Sequence, residues 1–314
     1  MATTRPLVGA LPSEEVAGPA EPGAWALGMR RLRRNRAALT GLAVVALFYG
    51  LALFSPLVAA YDPTEPHFGD ILAPPFWAVG GSWAFPLGTD NLGRDLLSRL
   101  VHGARVSMAI GLIPIAFYLL VGGTVGLVAG YAGGMIDTAL MRVVDVFYAL
   151  PDLLIIISLV TLLRETSLGS ALAGMPVLIG ALALFNWVGT ARLVRGQVLA
   201  HKEAAFVEAA RALGASPRRV VLRHIVPHVL APLVVQMTFA VPAAIIAEAA
   251  LGFIGIGVRP PTPSWGNMTQ EGFGALFTQP ALALAPAACI ALVTLGFTFL
   301  GDGLRDALDP RARV

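Results

Sequence analysis

One cysteine and one lysine are all that this 314-residue chain carries of those two residue types. The lone Cys289 excludes an intrachain disulfide, a thiolate metal cluster and a Cys-x-x-Cys redox centre, and its place in an apolar run reads as packing. Lys202 stands between His201 and Glu203, so there is no G-x-x-x-x-G-K-[ST] loop to cradle phosphates and the chain cannot be its own P-loop ATPase. The G-x-G-x-x-G, G-x-S-x-G and H-E-x-x-H patterns are missing too, which leaves no enzyme signature. Charge is scarce. Only 13% of residues are charged against 56% hydrophobic, and a mean hydropathy of +0.75 lies outside the range of soluble domains.

What the chain has in plenty is apolar runs long enough for a hydrocarbon core of about 30 Å. They cover residues 37–60, 106–136, 143–163 (with Asp145 and Asp152), 166–190, 229–256 (with Glu248) and 280–300. The expected fold is therefore an all-α integral membrane protein with six transmembrane helices and both termini on one side. Lys and Arg in the connections give the orientation. Seventeen of the 22 basic residues, among them Arg30, Arg31, Arg33, Arg34, Arg36, Arg142, Arg192, Arg195 and Lys202, fall on the side of the termini. Five, Arg94, Arg99, Arg105, Arg164 and Arg259, fall on the other. The termini are thus expected in the cytoplasm of a bacterial or archaeal cell, and the net charge of +3 reflects topology rather than a nucleic-acid partner.

The expected boundaries are a cytoplasmic tail over residues 1–36, a first span over 37–60, an external segment over 61–104, five helices within 105–303 and a second cytoplasmic tail over 304–314. The arginines before the first apolar run also suit a signal peptide, but the run is too long and lacks a small-x-small exit, so it reads as an uncleaved anchor.

A polar insert interrupts the apolar pattern at residues 201–227. Lys202, Glu203, Glu208 and Arg211 alternate with Phe206, Ala210 and Leu213, which predicts an amphipathic helix. Gly214 supplies its stop, and Ser216 followed by Pro217 can cap and open a second helix. Glu208, Ala209 and Ala210, then Gly214 after three intervening residues and Pro227 after a further stretch, match in identity and spacing the EAA loop of binding-protein-dependent ABC importer permeases, with His224 and Val226 replacing the family's Ile and Leu. The sequence resembles that family.

The resemblance extends from about Arg30 to the C-terminus. The segments PLGTDNLGRDLLSRLVHGAR, GYAGGMIDTALMRVVDVFYALP, RPPTPSWGNMTQEG and LGDGLRDALDPR are all similar to the dipeptide, oligopeptide and nickel branch, and to its second permease. It implies a type I ABC importer permease fold, a sister permease as heterodimer partner, two cytoplasmic ATPase subunits that receive the EAA loop, and an external substrate-binding protein. No cofactor or metal is implied. The competing classes are a secondary transporter or channel without ATPases, which leaves the EAA spacing unexplained, and a membrane enzyme, for which no polar cluster is visible.

Other residues stand out by chemistry. Gly122, Gly126 and Gly130 recur every four residues, giving a helix face without side chains that lets another helix approach, either as fixed packing or as a sliding seam. Gly133 and Gly134 suit a turn. Glu248 inside an apolar run marks a translocation path or a structural partner within the bundle. Asn186 and Trp187 pose the same alternatives. Thr89 or Asp90 suits a helix cap, and Asp90, Asn91 and Asp95 lack a calcium-loop register. The proline-rich stretch with Trp265 predicts an interfacial loop and a short external helix.

Overall fold

The computed structural model describes residues 24–308; residues 1–23 and 309–314 of the two expected tails lie outside them. Eleven main helices follow in chain order among the described residues: α1 (Ala24–Leu32), α2 (Arg36–Leu53), α3 (Leu96–Phe117), α4 (Gly123–Ala132), α5 (Gly134–Ala149), α6 (Asp152–Leu163), α7 (Met175–His201), α8 (Ala205–Ala212), α9 (Val226–Phe253), α10 (Trp265–Phe273) and α11 (Ala281–Leu308). A single isolated bridge, Thr89 to Asp95, is the one β interaction among them.

Five helical stretches are long and apolar enough to cross a membrane, and α5 with α6 makes a sixth only if a pair bent by 79° counts as one span. The uninterrupted third span expected over 143–163 is therefore broken, and the cause lies at Leu150 and Pro151. Pro151 has no N–H for an intrahelical bond, and its ring pushes Leu150 to ψ 138, out of the helical region. The second span also differs from expectation. Its helix begins at Leu96, and Asp95 rather than Thr89 or Asp90 is the N-cap, accepting from Ser98 N–H at 2.7 Å. Residues 86–95 instead fold back on the preceding segment, with Thr89 N–H donating to Ala73 O at 3.1 Å.

α3 passes into α4 through one π-helical turn at Tyr118–Gly122, a way of absorbing the register change downstream of Pro114. α4 then lies against α7 along its glycines. A Cβ at Gly122 would meet Trp187 O at 2.5 Å, one at Gly126 would meet Ala191 O at 2.5 Å and Val194 Cβ at 2.7 Å, and one at Gly130 would meet Val198 Cβ at 2.7 Å. Ala191, Val194 and Val198 are fully or almost fully buried there. Gly133 and Gly134, at φ +66 and +55, make the turn into α5 and have no such neighbours. On the other flank α2 lies along α11, where Gly41 sits so close that an added Cβ would be 2.9 Å from Leu300 N.

Gly126→Leu is expected to push α4 from α7, at a cost of about 1–3 kcal/mol or more for overpacking, and to lower the yield of monodisperse protein in detergent. Val128→Leu, on the half-exposed side of the same helix, should not. Equal size-exclusion yields for the two variants would show that the seam separates without cost.

Candidate functional site

Two regions carry the chemistry, a cavity among the long helices and the polar hairpin. The cavity, of about 670 Å³, is lined from the junction of α3 and α4 (Tyr118), from α5 and α6 (Tyr148, Asp152), from α7 (Asn186, Thr190) and from α9 (Gln236). Asn186 and Gln236 sit near the midpoints of α7 and α9, so the cavity lies about halfway along the helices. Its α9 wall includes Gln236, Ala240, Ala243, Ala244 and Ala247, the i, i+4, i+7, i+8, i+11 set that shares one helix face, with Met237 and Phe239 beside them. Alanine there keeps the space open. Asn186 donates from Nδ2 to Leu182 O at 2.9 Å, the Tyr118 hydroxyl donates to the same carbonyl at 3.4 Å, and Gln236 Oε1 has no hydrogen-bond partner. Trp187 is buried and packs edge to face on Phe147 at 5.7 Å.

Glu248 is not part of the cavity wall. The helical advance of roughly 100° per residue turns it from the alanine face, and its side chain is wholly buried where α9 meets α3 and α10. There Trp265 N–H donates to Ser107 Oγ at 3.1 Å, and Ser107 donates to Glu248 Oε2 at 3.0 Å. Trp265 is also fully buried, donates from Nε1 to Leu100 O at 3.1 Å, and meets Phe48 edge to face at 5.3 Å. α10 is the short helix expected around Trp265, opened by a capping box between Ser264 and Asn267. Of the two alternatives for Glu248, the geometry is that of a partner within the bundle, and the sequence had no means of giving its direction. A second polar lock holds α10 beside it: Glu271 Oε2 accepts from Arg94 at 2.8 Å and Arg99 at 2.7 Å, and Asp90 Oδ2 accepts from Arg94 Nε at 2.6 Å. Asp90 is thus spent on arginine.

In the hairpin, α8 ends in a Schellman motif: Ala215 N–H donates to Ala210 O and Gly214 N–H to Arg211 O, with Gly214 at φ +82. Ser216 accepts from Arg219 N–H, Pro217 opens the next turn, and a π-helical stretch, Val220–Ile225, leads through Pro227 into α9. The apolar face of α8 is Val207 and Ala210, with Val207 packed among Val220 and Ile225, so that of the expected Phe206, Ala210 and Leu213 Ala210 alone lies on it. Phe206 is 40% and Leu213 89% exposed, and Glu208, Ala209 and Gly214 are exposed with them. Leu213 lies just past the helix at its C-cap, which is why helical spacing misplaced it. The hairpin is tied to the helices by His228, which stacks on His201 and meets Phe206, each at 5.0 Å, and by Arg211 over the ring of Tyr131.

A bundle of long apolar helices around a half-depth cavity, with an exposed hairpin continuous with one cavity wall, defines a multi-pass membrane permease. The chain belongs to the family of binding-protein-dependent transport system inner membrane components, which matches residues 122–314, and residues 23–75 match the N-terminal TM domain of oligopeptide transport permease C. It is 38% identical over 281 residues to the dipeptide transport system permease protein DppC of Haemophilus influenzae, covering 90% of this chain and 92% of the relative. It is 38% identical over 289 residues to the oligopeptide transport system permease protein OppC of Bacillus subtilis, covering 92% and 90%. Among solved structures, the inward-facing methionine ABC transporter MetNI has a chain with the same fold at a TM-score of 0.52 and 20% identity, over 68% of this chain and 98% of that one. The protein is thus the transmembrane subunit of an ABC importer with the type I permease fold, in a multi-pass inner-membrane setting.

Glu248→Ala is expected to lower the Tm of the purified protein, since Ser107 would lose its acceptor in a dry site at a cost of about 1–3 kcal/mol. Glu248→Gln, which keeps a carbonyl oxygen in place, should recover most of it. An unchanged Tm for Glu248→Ala would show that the Trp265–Ser107–Glu248 chain does not hold α10 down.

Proposed function

We propose that this permease imports di- or oligopeptides, that it closes its cavity against a sister permease as a heterodimer, that two ATPase subunits dock on its hairpin from the cytoplasm, and that an external binding protein delivers the cargo. Peptide transport is supported by the names of the relatives. The coupling role of Glu208, Ala209, Ala210, Gly214 and Pro227 rests on one observation: the helical stretch that begins at Pro217 in the hairpin runs for 37 residues to Phe253 and carries the alanine wall of the cavity on the way. A push on the hairpin is therefore a push on that wall. His201, Phe206 and His228 join the hairpin to α7 as well, so both walls that bear Asn186 and Gln236 receive the displacement together. In this reading Asn186 lines the path, Glu248 positions α10, and Gly122, Gly126 and Gly130 hold α7 to α4.

The exposed residues are the ones to alter, because Ala210 is 9% exposed and a large side chain there would unseat α8 itself. Gly214→Val places a β-branched residue at φ +82, costing about 1–2 kcal/mol, and Ala209→Trp adds bulk to the free face. Both variants should insert normally yet retain the ATPases less well, by about tenfold for a loss of 1.4 kcal/mol, and lose substrate-stimulated ATP hydrolysis. Wild-type retention and stimulation in both would show that this loop does not transmit the stroke.

The basic-residue asymmetry fixes the proposed orientation. Reporter fusions after Ala205 and at Val314 should score cytoplasmic and one near Gly81 external; a cytoplasmic score at Gly81 would reverse it.

A further inference from the structure

Asp152 is the one carboxylate among the residues that line the cavity, and no Lys, Arg or His stands with it there. It opens α6 at the 79° break, where Leu153 N–H donates to its Oδ1 at 2.7 Å. The side chain is exposed to the cavity side and forms no ion pair among the described residues. The other carboxylates of this region are neutralised: Asp137 by Arg195 at 2.5 Å and Asp145 by Arg192 at 2.7 Å, the latter guanidinium also lying over the Tyr148 ring at 4.0 Å. Asp152 alone contributes an unbalanced charge. An ionisable group inside a broken membrane helix is costly to keep.

The other polar side chains of the cavity, Tyr118, Tyr148, Asn186, Thr190 and Gln236, are neutral. An ammonium or a guanidinium, with a positive charge and several N–H donors, is the group that a single carboxylate among them accommodates best.

We infer that Asp152 is the charge-selecting residue of the path, receiving a positively charged group of the substrate as it passes through the cavity. The inference rests on the peptide-import reading for the identity of that substrate. Selection here is separate from selection by the binding protein: a delivered peptide with a lysyl or arginyl side chain meets a favourable field at half depth, and one with an acidic side chain meets a repulsive one.

The test uses the full complex, with its sister permease, ATPases and binding protein, in proteoliposomes. Uptake of a lysine-containing dipeptide is compared with that of a neutral dipeptide. The binding protein is the same for every variant, so its preference cancels when the uptake ratio of a variant is divided by that of wild type. Asp152→Asn is expected to lower the ratio about tenfold, the order given by one charge at contact distance in a partly polar site. Asp152→Lys should turn the preference toward a glutamate-containing dipeptide, and Asp152→Glu should keep the wild-type ratio. A second readout needs no substrate: in a Cys289→Ser background, Leu153→Cys beside the charge is reacted with cationic and anionic methanethiosulfonates. The ratio of the two rates should fall by a similar factor when Asp152→Asn is added. Unchanged ratios in both assays would overturn the inference, and so would equal losses in Asp152→Asn and Asp152→Glu, which mark a structural role. If wild type imports neither dipeptide, the peptide reading fails, and the thiol ratio still decides the role of Asp152.

Discussion

The approach of α4 to α7 at Gly122, Gly126 and Gly130 is the contact on which the rest of the bundle depends. In lipid, apolar side chains gain nothing by leaving one apolar neighbour for another, so helices associate through backbone proximity and a few polar contacts. Three glycines at four-residue spacing give α7 a fixed line along α4, with Ala191, Val194 and Val198 seated on it. That line sets the direction in which the rest of α7 faces. Its next turns carry Asn186 and Thr190 to the cavity, and its last turns carry Arg192 and Arg195 to Asp145 and Asp137 on α5. A side chain inserted into the seam would move both sets together.

The two ends of the bundle are held by different electrostatics. Around α10 the polar partners are largely buried, Glu271 being the most open at 26%. Arg99 is 1% exposed, Arg94 6% and Glu248 0%, and each is bonded to a group on another helix or loop. Removing one partner from such a set strands a buried charge or hydroxyl, which commonly costs about 3–5 kcal/mol for an ion pair. At the hairpin end the pair of Arg192 and Asp145 is 40% and 58% exposed, where an ion pair contributes about 0–1 kcal/mol. The ion pairs around α10 are thus more buried than those that join α7 to α5, a distribution that suits the proposed stroke at the hairpin.

Much of this was legible in sequence because the signals are local. Apolar run length located the long helices, with ends out by up to about three turns where 166–190 stands against Met175–His201, Gly214 and the Ser216–Pro217 pair gave the hairpin its turn, and the four-residue glycine spacing gave one face of α4. What the sequence withheld depends on tertiary direction. Glu248 is visible as a charge in an apolar run, yet whether it turns toward the cavity or toward Ser107 depends on how α9 is rotated against α3. Leu213 looked buried by helical spacing, but the helix ends before it. The break at Leu150–Pro151 had its signal in the X-Pro dipeptide, and the apolar composition on both sides masked it. Thr89 and Asp90 are good caps by type, and lost that role because the chain folds back on residues 67–73 before the helix begins.

The break and the helical stretch that leaves the hairpin line the same cavity. α9 reaches it as part of one helical stretch from Pro217, whose hydrogen-bond ladder is altered at the π-helical turn Val220–Ile225 and at Pro232 and Pro242. α5 reaches it from the turn at Gly133 and Gly134, and there the chain changes direction by 79°. In the proposed reading, a wall driven from the hairpin faces a wall that is bent by its own sequence. Motion of the first would change the space in front of the second, where Asp152 stands at the bend. Coupling and charge selection would then use the same volume, so that the geometry that admits the substrate is also the geometry that the hairpin alters.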